Sequence, residues 1–156
     1  MKITFKHNGI VDKFIGDALM AVFGTIEDEP DAEVRAVSAG LEFQEAIRNM
    51  NNDRSQYGKD PVSIGVGINT GNHLISDLGL LLAGFIGSQQ RLEYTCIGDT
   101  VNTSSRICDL AEQGEVLISE FTYNRVRESI NCEPFGMRQF KGKLKEVMVY
   151  RAVSVI

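Results

Sequence analysis

Three groups of polar residues have types and spacings suited to chemistry. Asp17 follows Gly16 between two apolar runs, 10–15 and 18–23. A Gly-X pair between two strand-like arms makes a two-residue hairpin. Its tip carries the Asp17 carboxylate out of an otherwise apolar element. Asn102 and Arg106 lie four residues apart in a helix-like segment, so they share a face. Lys141 and Lys143 flank Gly142 in a turn. One carboxylate, one amide and several cations suit a metal-bound polyphosphate. Carboxylate oxygens hold Mg²⁺, which bridges phosphate oxygens, and Arg and Lys neutralise charge during phosphoryl transfer. Each group also has a plainer reading. Gly-Asp is ordinary turn chemistry, Asn and Arg on a helix are a solvated face, and Lys-Gly-Lys is an exposed turn.

The elements that must position these residues follow from periodicity. The hairpin arms are apolar enough to predict a central place in a sheet. A helix is expected over about 30–50, with Pro30 in its first turn and Ala36, Gly40, Phe43, Ile47 and Met50 along one face. A polar loop should follow over 51–60. Val62, Ile64, Val66 and Ile68 alternate with Ser63, Gly65, Gly67 and Asn69, the cleanest period-two strand in the chain. The stretch 71–87 is apolar but broken by glycines, and 92–97 reads as a strand. A helix is expected over 100–112, with Asp99 as N-cap and Gly114 as its stop. Residues 116–118 form a short strand, Ser119 caps a brief helix over 120–126, and two strands surround Lys141-Gly142-Lys143. Hairpins mixed with alternating helices favour an α+β sandwich, helices on one face of a largely antiparallel sheet.

Composition narrows the class. A chain of 156 residues fits one domain, 1–156, with a real core. Hydrophobic residues at 43% and charged residues at 24% exclude disorder and coiled coil. The net charge of −5 makes the chain a poor sheath for nucleic acid, while a small phosphate-bearing ligand needs only a local basic cluster. Cys96, Cys108 and Cys132 are widely spaced and odd in number, which argues against a disulfide framework and for free thiols in a reducing compartment. His7 and His73 show no metal-ligand spacing. No signal peptide or bilayer-length apolar run is visible, so a cytoplasmic domain is expected. There is no Gly-x-x-x-x-Gly-Lys-Ser/Thr loop and no Gly-x-Ser-x-Gly elbow. Gly65-Val-Gly67-Ile-Asn-Thr-Gly71 has the wrong spacing for a dinucleotide fingerprint.

The exact strings add a resemblance. Asp12-Lys-Phe-Ile-Gly-Asp17-Ala-Leu-Met-Ala21 resembles the second metal-site motif of the class III nucleotidyl cyclase catalytic domain. Ile64-Gly-Val-Gly-Ile-Asn-Thr-Gly71 is similar to that family's central strand. Ile86-Gly-Ser88, Arg91, Glu93-Tyr-Thr95, Ile97-Gly-Asp-Thr-Val-Asn102 and Ser105-Arg106 resemble its transition-state motif, and Phe140-Lys-Gly-Lys143 with Val149-Tyr150 its closing hairpin. The blocks keep order and approximate spacing from Gly9 to Ala152. The resemblance implies a ferredoxin-like sandwich of nucleotide cyclase type. It implies conversion of a nucleoside triphosphate to a 3′,5′-cyclic nucleotide and pyrophosphate, aided by two divalent ions, Mg²⁺ or Mn²⁺. It implies sites shared between two catalytic domains, so a head-to-tail homodimer. By position Asp17 matches the second metal carboxylate. Lys13 and Thr95 match the purine-selecting pair, Asn102 the residue that positions the ribose, Arg106 the one that stabilises charge on the α-phosphate, and Lys141 a lysine on the terminal phosphates. Lysine at position 13 speaks for ATP, because a cation donates to N1 of adenine and repels the N1–H of guanine. The family places Lys13 and Asp17 in opposite sites of the dimer.

Three departures qualify the resemblance. The family's first strand, its phosphate-binding turn with the first metal aspartate, and its first helices have no counterpart here. Residues 3–9 look like the end of a helix and its exit turn. A truncated catalytic domain with little activity of its own is therefore expected, with exposed sheet edges that favour dimerisation. An upstream sensor or membrane domain is compatible with this reading. The stretch 73–82 looks longer and more apolar than the family's connection, and Gly65 stands where some relatives carry an arginine. The lead expectation is an adenylate cyclase catalytic domain. The rivals are a catalytically dead cyclase-like dimerisation or nucleotide-sensing module and a guanylate cyclase. A diguanylate cyclase would need a Gly-Gly-Asp/Glu-Glu-Phe turn, where this chain offers Ile15-Gly-Asp-Ala18.

Overall fold

The structure, a computed structural model, describes residues 1–24, 31–71, 82–88, 91–140 and 146–156, with the strands 82–88 and 91–97 described through their backbone. The elements run α1 (Lys2–Lys6), β1 (Ile10–Ile15), β2 (Ala18–Val22), α2 (Ala32–Gln56), β3 (Val66–Ile68), β4 (Leu82–Ser88), β5 (Arg91–Ile97), α3 (Asp99–Leu110), β6 (Val116–Ser119), α4 (Glu120–Val126), β7 (Ile130–Arg138) and β8 (Val147–Val155). A four-stranded sheet has the order β3-β6-β8-β7. Within it β3 and β6 are parallel, and β8 is antiparallel to both β6 and β7.

Side-chain alternation on β6 divides the core in two. Val116 and Ile118 pack with Val37 of α2, and with Val126, Ile130 and Ala152. Leu117 points the other way and packs with Ile107 of α3, Phe140 and Val149. All four residues of β6 are buried, as expected of a strand covered on both faces. Helices therefore lie on both faces of the sheet, not on one as the element order predicts. Sequence alternation cannot show this, because Val116-Leu117-Ile118 is an unbroken apolar run.

The α2 helix outlasts its predicted end. The expected loop over 51–60 is helical as far as Gln56, and Gly58, at φ +63°, stops it. Gly58 N–H bonds the Ser55 carbonyl and Lys59 N–H the Arg54 carbonyl, the paired bonds of a Schellman end. Asn51 holds the returning chain from the helix surface. It donates to the Val62 carbonyl at 2.7 Å and accepts from Val62 N–H at 2.8 Å. The buried stripe is Val37, Gly40 and Gln44 with Ala32 and Ala39; no residue after Gln44 is buried, and Met50, predicted to face the core, is exposed.

Gln44 replaces an apolar contact with a hydrogen-bonded one. It is 3% exposed, and its Nε2 donates to both the Ile64 and Glu115 carbonyls at 3.0 Å. These carbonyls lead into the parallel strands β3 and β6, and each also accepts a backbone N–H. Gln44→Leu is therefore expected to cost about 1–2 kcal/mol, because the carbonyls lose one donor but keep another. Urea melts of the chain read this directly, and an unchanged midpoint would contradict it.

The predicted strand over 62–69 narrows to Val66–Ile68. Ile64 meets the β6 lead-in through a single bond from Gly114 N–H. Gly114, predicted to stop α3, serves this turn at φ +87° instead, since α3 ends at Leu110 with Ala111 extended. The predicted Ser119 cap stands. Its Oγ accepts from Thr122 N–H at 3.3 Å, and Thr122 Oγ1 lies 3.0 Å from Thr70 Oγ1, tying α4 to the exit of β3. Residues 3–9 form a helix end and exit turn as read. Among the described residues, no helix is long and apolar enough to cross a membrane.

Candidate active site

The predicted hairpin forms, with Ile15 paired to Ala18 and Gly16 at φ +63°. Glycine is the residue that takes a positive φ there without strain. Asp17 sits exposed at the tip. The arms are not central in a sheet, however. Among the described residues β1 and β2 form a two-stranded sheet of their own, and Phe14 and Ile15 are 63% and 60% exposed. Apolar composition predicts burial, but among the described residues no second layer covers the tip of this two-stranded ribbon.

Lys13 sits on an irregular part of β1. Val11 pairs with Ala21 and Lys13 with Met20, so Asp12 is an extra residue bulged out of the ladder. Lys13 Nζ lies 3.2 Å from Asp12 Oδ2. Strand periodicity carries no signal for this pair, because neighbours on a regular strand face opposite ways.

Asn102 and Arg106 stand one turn apart on α3, as their spacing predicts. Thr103 and Ile107, each the next residue after a candidate, are buried, whereas Asn102 is exposed and Arg106 half-buried. Both candidate side chains thus lie on the face turned from the sheet. Asp99 does not cap the helix; it is the first helical residue, and Gly98 is the N-cap at φ 147°. That backbone favours glycine, so Gly98 fixes the entry to α3. Asn69 Nδ2 donates to the Thr100 carbonyl at 3.1 Å, and Thr103 Oγ1 to the Asp99 carbonyl at 2.8 Å.

Gly65, just before β3, and Gly67 within it set the depth of α3. A Cβ on Gly67 would fall 2.1 Å from Cys108 N and 2.6 Å from the Ser104 carbonyl oxygen. A Cβ on Gly65 would fall 2.6 Å from the Ala111 carbonyl oxygen. The alternation of glycine with Val66 and Ile68 is the signal of a bare strand face, and that face receives the helix backbone. Cys108 rests there, its Sγ 3.6 Å from the Gly65 carbonyl, and burial pushes its thiol pKa up.

Strand β5 touches both β1 and α3, so it links the hairpin to the helix. Thr95 lies on β5 opposite Gly84 of β4; its side chain lies outside the described residues, as do Lys141, Lys143 and the stretch 72–81. The side chains of Asp17, Asn102 and Arg106 engage no hydrogen-bond or ion-pair partner among the described residues. A cleft of about 420 Å³ lies elsewhere, between α2 and β8, lined by His7, Glu42, Gln44, Arg48 and Ser154 among others. Lys6 and then His7 bond Glu42 there, each at 2.8 Å, and hold its carboxyl below the usual range.

The Asp17 carboxylate is a hard oxygen donor of the kind Mg²⁺ and Mn²⁺ take. Among the described residues no three His, Cys, Asp or Glu side chains come together to hold a metal ion. Asp17 therefore fits as a single protein ligand, with phosphate oxygens completing the ion's coordination.

Comparison with known proteins gives the family and the fold. The family profile described as adenylate and guanylate cyclase catalytic domain matches residues 4–152. The chain is 34% identical to the terminal-differentiation-specific adenylate cyclase of Dictyostelium discoideum, covering 94% of this chain and 7% of that protein. It is also 34% identical to an adenylate cyclase of Anabaena cylindrica, covering 96% of this chain and 29% of that protein. It thus spans less than a third of either relative. Among solved structures, the adenylyl cyclase CyaB from P. aeruginosa superposes with a TM-score of 0.88 at 33% identity, over 98% of this chain and 76% of that one. The guanylyl cyclase Cya2 superposes with a TM-score of 0.88 at 30% identity, over 99% and 74%. The α+β fold and the match across nearly all the chain lead to one assignment: this chain belongs to the class III adenylate and guanylate cyclase catalytic domain family.

Proposed function

We propose that the domain is the catalytic part of an adenylate cyclase, forming 3′,5′-cyclic AMP and pyrophosphate from ATP in intracellular signalling. The observation that carries the reading is α3, whose buried side, Thr103 and Ile107, fixes the helix while Asn102 and Arg106, on its open side, engage no partner among the described residues. In the reaction the ribose 3′-oxygen bonds to the α-phosphorus in line, the bond to the leaving pyrophosphate oxygen breaks, and the hydroxyl proton is released. Asn102 holds the ribose so that its 3′-oxygen faces the phosphorus, which lowers the barrier by orientation. The Arg106 guanidinium offers forked donors to the α-phosphate oxygens, where charge develops. Lys141 meets the terminal phosphates, and Thr95 with Lys13 reads the purine. A divalent ion held by Asp17 with the phosphate oxygens would neutralise charge and make the 3′-hydroxyl a better nucleophile.

Asp17 and Lys13 share one hairpin, while Asn102 and Arg106 lie on α3, with β5 between. In this reading a second catalytic domain is the partner, with Asp17 of one copy serving the site that holds Lys13, Asn102 and Arg106 of the other, so that each copy of a homodimer completes the other's site. Lys13 supports ATP over GTP, as do the two adenylate cyclase relatives; the likeness to the guanylyl cyclase Cya2 supports the other nucleotide. Steady-state turnover of both nucleotides by the natural full-length protein, with Mg²⁺ and with Mn²⁺, decides between them. The expected kcat/KM for ATP exceeds that for GTP by about tenfold or more, and Lys13→Ala brings the two within about threefold. Preferred GTP turnover would establish a guanylate cyclase. Nucleotide binding without any cyclic product would establish a non-catalytic sensing module.

A further inference from the structure

We propose that Asp12 is a positioning residue for purine selection, holding the Lys13 ammonium so that it meets N1 of adenine and does not follow guanine. The proposal rests on the reading of Lys13 as the base-facing residue.

The bulge in β1 is the physical basis. An acid and a base adjacent on a regular strand point to opposite faces. Here the ladder steps from Val11–Ala21 to Lys13–Met20 and leaves Asp12 as the inserted residue, which turns the two side chains toward each other. Lys13 Nζ lies 3.2 Å from Asp12 Oδ2. The two ends of the pair differ in burial. The Asp12 side chain is 1% exposed, whereas that of Lys13 is 38% exposed. A carboxylate withdrawn from water needs a cation or donors close by. The ammonium supplies a cation, on a side chain that still reaches the outside. Asp12 is therefore the fixed end of the pair and Lys13 the presented end.

Selectivity needs that fixation. A lysine ammonium is a point charge on a flexible four-carbon stem. Adenine offers an acceptor at N1. Guanine offers an N–H at N1 but an acceptor next to it, at O6. An unanchored lysine follows the acceptor from one position to the other and discriminates weakly. An ammonium held from behind meets an acceptor in one case and an N–H in the other, which is rejection as well as attraction.

The test is the ratio of kcat/KM for ATP to that for GTP in the natural full-length protein, compared for wild type, Asp12→Asn, Asp12→Glu, Lys13→Ala and the double variant Asp12→Asn/Lys13→Ala. The ratio cancels any loss of folded protein, which lowers both nucleotides alike. Asp12→Asn keeps the size and removes the charge; it is expected to lower the ratio about threefold, and no further than Lys13→Ala does, chiefly by raising GTP turnover. Asp12→Glu is expected to restore most of the preference. In the Lys13→Ala background Asp12→Asn should change nothing further, because it acts through the missing lysine. If Asp12→Asn does not fold, Asp12→Ser gives the same reading. A ratio within twofold of wild type in Asp12→Asn, with Lys13→Ala collapsing it, overturns the role of Asp12 alone. A further drop in the double variant also overturns it, since Asp12 would then act independently. An unchanged ratio in Lys13→Ala removes the base-facing reading of Lys13, and the proposal with it.

Discussion

Arg106→Ala is expected to lower cyclic-nucleotide formation by about 10²–10³-fold while leaving the domain folded. The two halves of this expectation have separate physical sources. Arg106 lies half-buried on α3, one turn beyond the exposed Asn102, and the residues that bind α3 to the sheet are Thr103 and Ile107. With no ion pair or hydrogen bond engaging the Arg106 side chain among the described residues, its removal should change stability by no more than about 0.5 kcal/mol. In the proposed reaction the same guanidinium meets charge that grows on the α-phosphate only as the new bond forms. Its loss should therefore appear in kcat and in kcat/KM equally, with KM little changed. Arg106→Lys should recover a small part of the activity, because it keeps the charge but loses the planar fork. Asn102→Ala should act in the same direction, on the order of 10²-fold, through lost orientation of the ribose. Product formation by the natural full-length protein and its thermal melt read the two halves independently. Turnover within twofold of wild type, or a loss of activity that tracks a loss of fold, would return Arg106 to the role of a solvated helix face.

How much of this was legible beforehand depended on whether the signal was local. Gly16-Asp17 between two apolar arms announced its turn, because a two-residue hairpin is decided by the residues within it. Ser119 announced its cap for the same reason. Asn102 and Arg106 were placed on one face by spacing alone. The failures have a common cause in tertiary context. The sequence over 51–56 is polar, and its helix is sustained by Asn51 holding Val62 and by Gly58 ending the turn, neither visible in a hydrophobic pattern. Asp99 was the better N-cap by residue type, yet Gly98 takes that place because the chain enters α3 at a φ only glycine adopts comfortably. The apolar hairpin was read as central because composition reports which residues prefer burial and not whether another layer exists to bury them. The meeting of Asp12 with Lys13 was invisible for a related reason: a period-two pattern assumes an unbroken ladder, and a single inserted residue reverses it.

Gly67→Ala is expected to destabilise the domain by about 3 kcal/mol or more, a fall in melting temperature of about 10 °C for a chain of this size. In the strand pattern Gly67 occupies the side opposite Val66 and Ile68, and it lies under α3. The added methyl would sit 2.1 Å from the backbone nitrogen of Cys108, 2.5 Å from its Cα and 2.6 Å from the Ser104 carbonyl oxygen. These are main-chain atoms of a helix, so no side-chain rotation relieves the overlap. The helix must retreat by about an ångström or more, and Ile107 and Leu117, both 0% exposed, then lose close packing across the whole interface. Gly58→Ala is the matched control. It adds the same methyl at φ +63° with nothing within 4 Å, so it should cost only about 1–2 kcal/mol of backbone strain. The difference between the two isolates crowding from conformation. Because α3 carries Asn102 and Arg106, any Gly67→Ala protein that remains folded should also lose turnover, by displacement of groups that the substitution never touches. Circular-dichroism melts of the chain, paired with product assays on the full-length variant, test both consequences. A Gly67→Ala protein that melts no lower than Gly58→Ala would show that α3 does not rest on the bare face of β3.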